Sequence, residues 1–576
     1  MKKIILLFAL ISNLNFVNGQ NNSDKFEWSF NTGGGYNNVK RMHYNTNGDL
    51  FIMETIGDTA QFGDIVLGAP KQGSYNGNVT FIGKRTQDGN YTVLVKHVSN
   101  QYGATFEDFA LDSEGNIIVS GAQFSGTTPF DYGNGITLSG NGYFITTYNA
   151  EGKAQWAKLY DLNTTFSRTN APISLGILPN NDIYFAAQSP NGNMPFWLIR
   201  LNSSGTEIWH KELILKYQNY NPTVFSSKNN SFFDNEGTAY FYVPILYGNY
   251  LKVNEDSIAG NPGTHPSTVY LLSIDGTGNK KAYGGYRGGI GDFCVEKETG
   301  NIILKYSQIN ANPAPFDKLN SFNNAGSSLY LGLVALDKNL NYIKSTSTSL
   351  MDTENINALY PLGNLEVVGN RTSPGGTTLS AGVQTFTTAA EKYTPTWIFF
   401  DSDLNFKSFI AHPELSGTAS SATLHMAKYG TKLAITGTYP LDGNPTITVN
   451  GTILKTCFKN LNFGTKFPIF ASLAGDIFVS QINLNESVAS NQKDLNDNTS
   501  KVQIYPNPAS DMLYTSMEQG KSNVLLELFD VMGNKVFNEK ITMNSRLFIG
   551  HLSKGIYTSK ISTDNSLSTV SKLIVE

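Results

Sequence analysis

A tight turn followed by a strand recurs seven times along the chain. The copies read NTNGDLFI (45–52), DSEGNIIV (112–119), PNNDIYFA (179–186), DNEGTAYF (234–241), ETGNIILK (298–305), PLGNLEVV (361–368) and YGTKLAIT (429–436). Glycine occupies positions 48, 115, 237, 300, 363 and 430, and Asn181 stands in its place in the third copy. The landmarks fall 67, 66, 56, 63, 63 and 67 residues apart. Glycine and asparagine accept the positive φ of a tight hairpin, and a β-branched or aromatic strand follows.

A second signature keeps step with the first: FIGKRTQDG (81–89), FITTYNAEG (144–152), WLIRLNSSG (197–205), YLLSIDGTG (270–278), GLVALDKNL (332–340), WIFFDSDLN (397–405) and FVSQINLNE (478–486). Six of these end the strand on a short acceptor: Asn149, Asn202, Asp275, Asp337, Asp401 and Asn483. Such a side chain bonds backbone amides two residues on and closes the next turn.

Each repeat has room for about four strands, the content of one propeller blade. The chain is therefore expected to be all-β, with a seven-bladed β-propeller over residues 20–485. AQWAKL (154–159) and EIWHKEL (207–213) follow the second signature as fourth strands, whereas the seventh copy runs into polar residues after Asn485. KFEWSF (25–30) carries Trp28 where the others carry Trp156 and Trp209, so the N-terminal strand is expected to complete the last blade and cover its open edge. Residues 112–158, from the acidic turn through the Gly-rich arm to Trp156, resemble the bacterial secreted β-propeller repeat. The likeness is partial in the first copy and degenerate in the third to seventh, and the last holds a long insertion between Thr438 and Gly475. It implies a fold and leaves function open.

The first nineteen residues read as a secretory signal peptide: Lys2 and Lys3, the apolar run Ile4 to Ile11, and small or compact residues up to a cleavage between Gly19 and Gln20. That run is too short to span a bilayer and no later segment approaches eighteen apolar residues, so no transmembrane segment is expected. Losing the two lysines takes the formal charge from −4 to −6, and no basic run of five or more occurs, which argues against a nucleic-acid partner. Cys294 and Cys457 are too few for a disulfide framework, and whether they pair is open.

From Glu486 to Lys501 the chain is nearly devoid of apolar residues, as a solvated linker is, and strand-like runs then crowd residues 502–576. That density suits a small immunoglobulin-like β-sandwich. YPNPA (505–509), LFDVMGNKV (528–536), LSKGIYTSKI (552–561) and the closing SKLIVE stand in fixed order, and together they resemble the type A C-terminal sorting domain of the type IX secretion system of Bacteroidetes. Glu576 departs from it, since a basic residue is common there. Pro506 and Pro508, around Asn507 and after Tyr505, fix φ and hold the entry extended. Asp530 and Gly533 suit a hairpin, Gly555 relieves sterics before Tyr557, whose ring would cap the sandwich, and Lys572 belongs to the closing motif. Each of these residues also has a purely structural explanation. As a set they imply export through the periplasm and outer membrane to the cell surface or beyond. The resemblance further implies two partners, the type IX machinery and a sortase-like peptidase that cuts in or near 486–501 and leaves the product either anchored to lipopolysaccharide or released.

No catalytic constellation stands out. The seven histidines, at 43, 97, 210, 265, 412, 425 and 551, are scattered without metal-ligand spacing, and His210 after Trp209 suits a structural or surface role better than catalysis. No cofactor is expected. Calcium at DSEGN and DNEGT is the one candidate, but these turns lack a calcium loop's ladder of acidic ligands and distal Glu. The expectation is a secreted or surface binding or adhesion module for an extracellular glycan or protein. The alternative is a propeller enzyme, a polysaccharide lyase or glycoside hydrolase, which paired carboxylates across a central channel would favour.

Overall fold

The computed structural model describes residues 26–31, 38–56, 59–62, 65–68, 71–72, 75–76, 78–99, 103–124, 128–160, 173–188, 196–213, 215–216, 232–246, 250–253, 256–259, 267–287, 289–308, 330–347, 356–373, 378–381, 384–387, 394–411, 425–439, 446–449, 452–455, 476–484, 503–505, 510–516, 524–530, 534–541, 545–563 and 566–575. All the named elements among them are β-strands. The chain divides into two compact units, Met1–Ser490 and Asn491–Glu576. The expected signal peptide, its cleavage pair Gly19 and Gln20, and the 486–501 linker lie outside the described residues.

Among the described residues the first unit contains seven principal antiparallel sheets, one per repeat, beside six small sheets of two or three strands. Sheet 1 runs through Asn38–Tyr44, Leu50–Ile56, Asn78–Arg85 and Tyr91–Ser99, and sheet 2 through Ala104–Leu111, Ile117–Phe124, Asn141–Tyr148 and Ala154–Tyr160. Sheet 3 comprises Ile173–Ile177, Ile183–Ala187, Phe196–Leu201 and Glu207–Leu213. Sheet 4 has three strands among the described residues, Ala239–Leu246, Ser267–Ile274 and Lys280–Arg287, preceded by a bridge from Phe233 to Ala239. Sheet 5 is Gly289–Val295, Ile302–Gln308, Tyr330–Leu336 and Tyr342–Ser347, and sheet 6 is Ile356–Gly363, Glu366–Ser373, Thr394–Phe400 and Phe406–Ala411. Sheet 7 joins Met426–Tyr429, Lys432–Tyr439 and Asp476–Asn483 to Phe26–Asn31 from the start of the chain. That last pairing is antiparallel, with Phe30 opposite Val479. It gives the edge of Asp476–Asn483 a partner.

Strand periodicity explains how the sheets pack. Successive side chains point to opposite faces, so a strand buried on both faces feeds two cores. Leu50 and Ile52 join Ala427, Ala434 and Val479 of sheet 7 in one cluster, whereas Phe51 and Met53 join Phe106, Ile117 and Val119 of sheet 2 in another. Ile118 faces the opposite way, into a core with Ile183 and Phe185 of sheet 3. Tyr184 and Phe241, Tyr242 and Phe293, Ile303 and Ile398, and Phe399 and Leu433 mark the corresponding cores from sheet 3 to sheet 7. Every sheet thus shares one apolar core with the sheet before it and another with the sheet after it. Full burial of one such side chain stabilises by about 1.5–3 kcal/mol.

The turns behave as their sequences require. Gly48, Gly115, Gly237, Gly300, Gly363, Gly430 and Asn181 all have positive φ, between 54° and 105° for the set that includes neighbouring Asn364. Asn149 Oδ1 accepts from the amides of Glu151 and Lys153 at 3.2 and 2.9 Å, and Asp401 Oδ1 from those of Asp403 and Asn405 at 2.9 and 2.8 Å. Asn202, Asp275 and Asp337 do the same. Leucine replaces the turn glycine at 340 and 404, with φ of 63° and 62°. Both leucines are fully buried in inter-sheet cores, which offsets the left-handed strain. Trp156 and Trp209 reach across to the next sheet's turn, donating from Nε1 to Ser203 O at 3.3 Å and Gly276 O at 3.1 Å. The side chain of Trp28, their expected counterpart, lies outside the described residues.

The second unit has two antiparallel sheets. One orders Gln503–Tyr505, Met512–Ser516 and Arg546–Phe548; the other orders Lys535–Ile541, Val524–Phe529, Gly555–Thr563 and Ser566–Val575. Leu513 and Leu547 of the first meet Leu526, Leu528 and Leu573 of the second in one core.

Candidate functional site

The first strands of sheets 1, 2, 5 and 6 each carry a register shift, between Val39 and Arg41, Phe106 and Asp108, Ile290 and Asp292, and Ile356 and Ala358. A bulge bends the strand and re-aims the residue beside it. Asp108 thereby reaches two neighbours at once. Its carboxylate accepts Arg41 Nε at 2.8 Å and Nη2 at 2.9 Å from sheet 1, and the Leu175 amide at 3.1 Å from sheet 3. The Phe109 amide adds a fourth bond at 2.9 Å. Burial by itself lowers the Arg41 pKa, and the Asp108 carboxylate, with smaller help from Asp292 and Tyr360, reverses this. Asp292 repeats half the device, accepting the Leu359 amide of sheet 6 at 2.8 Å. These bonds tie first strands one repeat apart, and both acids are buried.

A cavity of about 320 Å³ lies among the first strands and their turns, lined by residues of sheets 1, 5, 6 and 7. Its polar lining residues include His43, Tyr44, Tyr360, Lys297 and Lys428, together with Glu296 and Glu298 on either side of Lys297. A smaller pocket of about 130 Å³ shares His43 and Lys297 and adds Arg41, Leu175 and Gly176. His43 Nε2 lies 2.9 Å from Phe109 O, so Nε2 carries the proton. Burial and the Arg41 charge push the His43 pKa down to about 3, and the same two causes push His425 to about 3. Both rings are neutral at ordinary pH. Burial pushes the Tyr360 phenol up to about 12, and its oxygen accepts the Lys428 amide at 3.1 Å. Burial also lowers the Lys297 pKa, against a partial rise from Glu298.

Several expected sites resolve into local structure. Asp112 directs Oδ1 to the amides of Glu114 and Asn116 at 3.0 and 2.8 Å and Oδ2 to Asn116 Nδ2 at 2.8 Å, so the acidic turn occupies its own ligands. His210 is exposed and pairs with Glu207 at 2.6 Å. Cys294 is a free thiol buried between sheets 5 and 6, with its pKa pushed up by burial, and Cys457 lies outside the described residues. His43 lies in the first strand of sheet 1 and His425 immediately precedes that of sheet 7, and burial and the Arg41 charge depress both. Each stands five positions before its turn glycine, Gly48 and Gly430, and aligning the copies on that column exposes the match.

In the second unit Asp530 closes its hairpin, accepting Asn534 N at 2.8 Å and Nδ2 at 3.0 Å. The ring of Tyr557 is buried in the core and does not merely cap it, and its hydroxyl donates to Ser553 O at 2.6 Å. Gly555 has only the Tyr557 ring near it, 4.0 Å from where a Cβ would stand. The backbone of Tyr505 pairs with Tyr514 and that of Lys572 with Thr558. Pro506, Asn507, Pro508 and Gly533 lie outside the described residues.

Residues 503–576 match the family of secretion system C-terminal sorting domains. The tail is a sorting domain for secretion. The match supports type IX export, to the cell surface or the extracellular space. No curated protein matches the chain. Among solved structures, a polysaccharide lyase, an ulvan lyase bound to a saccharide, is 10% identical, with 72% of this chain and 92% of that one covered and a TM-score of 0.36. A protein of unknown function from Dyadobacter fermentans is 8% identical over 80% of this chain and 98% of its own, with a TM-score of 0.34. A fungal alcohol oxidase in complex with copper is 10% identical over 96% and 100%, again at 0.34. At these scores the likenesses carry no argument about activity.

Proposed function

We propose that the first unit is a seven-bladed propeller acting outside the cell as a binding module, and that the sorting domain, an immunoglobulin-like sandwich, delivers it through the type IX machinery. The shared cores that pass from each sheet to the next, and from sheet 7 back to sheet 1, support the ring. The pairing of Phe26–Asn31 with Asp476–Asn483 supports its closure. A sortase-like peptidase then removes the tail within or near residues 486–501.

One observation favours binding over catalysis: buried acids of the first strands, and one of the turn that follows a first strand, are already engaged. Asp108 holds Arg41 and two amides, Asp292 holds the Leu359 amide, and Glu296 holds the Leu365 amide, Thr299 Oγ1 and Asn301 Nδ2. Glycoside hydrolysis needs two acids free to face the scissile bond. Screening the mature chain on a glycan array and against extracellular polysaccharides tests this. A defined glycan retained without new reducing or unsaturated ends supports a binding module; turnover of any polysaccharide overturns it in favour of an enzyme.

A further inference from the structure

We propose that the cavity among the first strands is a site for a small acidic ligand, whose carboxylate or sulfate ester is held by Lys297 and Lys428 with the Tyr360 hydroxyl donating a third bond. The proposal rests on the binding-module reading and names the ligand class of that module.

The cavity, about 320 Å³, falls at the lower end of small-ligand sites. Its charges do not cancel locally. The Glu296 carboxylate is turned to its own hairpin, accepting the Leu365 amide, Thr299 Oγ1 at 2.9 Å and Asn301 Nδ2 at 3.1 Å. Glu298 is exposed. Lys297 is half-buried with its ammonium 5.5 Å over the Phe233 ring, and the charge of the exposed Glu298 beside it compensates it only in part. Lys428 is half-buried too, and its ammonium has no carboxylate or carbonyl partner among the described residues. A cation held partly out of water with too little counter-charge is costly, and an anion entering the cavity lowers that cost. Burial lowers the Lys297 pKa and the Glu298 charge offsets this only in part, the direction an entering anion would reverse.

The neutral groups agree. Tyr360 already accepts the Lys428 amide, so its own proton is free to be donated. His43 has its proton committed to Phe109 O and stays neutral far below ordinary pH, so it adds neither charge nor a second donor. Two ammonium groups and one hydroxyl are a donor set for a singly charged oxyanion. Arg41, the remaining cation nearby, is paired with Asp108.

Calorimetric titration of the mature chain with glucuronate and with glucose 6-sulfate, against neutral glucose, tests the site. The expected result is binding of at least one acidic sugar, no measurable binding of glucose, and affinity that weakens as pH rises toward lysine titration. Glucuronate alone binding identifies a carboxylate ligand and glucose 6-sulfate alone a sulfate ester. Lys297→Met and Lys428→Met should each weaken binding at least tenfold, with Lys297→Arg restoring part of it. Thermal melts confirm that each variant is folded. Failure of both acids to bind better than glucose, or unchanged affinity in folded variants of both lysines, overturns the proposal. A glycan-array hit insensitive to Lys297→Met also overturns it while leaving the binding-module reading intact.

Discussion

Replacing Asp108 by alanine should be among the most damaging single changes in the first unit. Its carboxylate accepts four bonds, two from the Arg41 guanidinium and one each from the amides of Phe109 and Leu175, so one side chain fastens three sheets. The Arg41 side chain is only 13% exposed and that of Asp108 3%. Removing the acid strips a buried guanidinium of its bidentate carboxylate, which costs about 3–5 kcal/mol. The Leu175 amide, orphaned in the same step, adds about 1 kcal/mol or more. Arg41→Met should cost less, about 2–3 kcal/mol, because the carboxylate keeps its two amide bonds. The double variant has no buried charge left and should lose only about 3 kcal/mol, less than Asp108→Ala alone. Denaturant unfolding of the mature chain around this double-mutant cycle should return a coupling energy of at least about 2 kcal/mol. Amide exchange should quicken first in Asn38–Tyr44, Ala104–Leu111 and Ile173–Ile177. Additive single and double variants, or an Asp108→Ala protein within about 1 kcal/mol of the parent, would refute the fastening role.

Gly152→Ala should destabilise far more than Gly363→Ala, although both glycines have positive φ, 80° and 105°. A Cβ at 152 would stand 2.1 Å from Leu94 O of the neighbouring sheet, whereas nothing lies within 4 Å at 363. Thermal melts should therefore separate strain plus clash, about 3 kcal/mol, from strain alone, about 1 kcal/mol. Because the folded pKa values of His43 and His425 are held near 3, the unfolded chain binds more protons below about 6.5. Stability should be fully present above that pH and decline as pH falls toward 3, and His425→Gln should flatten the decline seen in pH-dependent melts. Deleting residues 503–576 should abolish surface delivery in fractionated cells, and the mass of the delivered parent should lack this segment. Surface display of the truncated chain, or retention of the tail in the delivered protein, would contradict the export account.

The turns and the tail were legible because their chemistry is local. A glycine at 48 or 115 sets its own φ, and Asn149 or Asp401 reaches amides two and four residues away, so eight or nine consecutive letters contain the whole interaction. The match of Phe26–Asn31 to the seventh copy was legible too, since a repeat missing its fourth strand leaves a strand wanted elsewhere. The cavity was not. Lys297 and Glu296 sit in an ordinary turn, and His43 in, and His425 just before, first strands whose sequences share little, so no short window marks them. They share a cavity or a field only because bulges re-aim the first strands and the seventh sheet packs back on the first. The sequence by itself determined where the chain turns, that it is all-β with a recurring sheet-forming unit, and which end carries the export signal, because those depend on contacts a few residues long. Which charges meet, which are cancelled and which are left facing open space was decided by tertiary structure alone, because that depends on strands hundreds of residues apart being brought edge to edge.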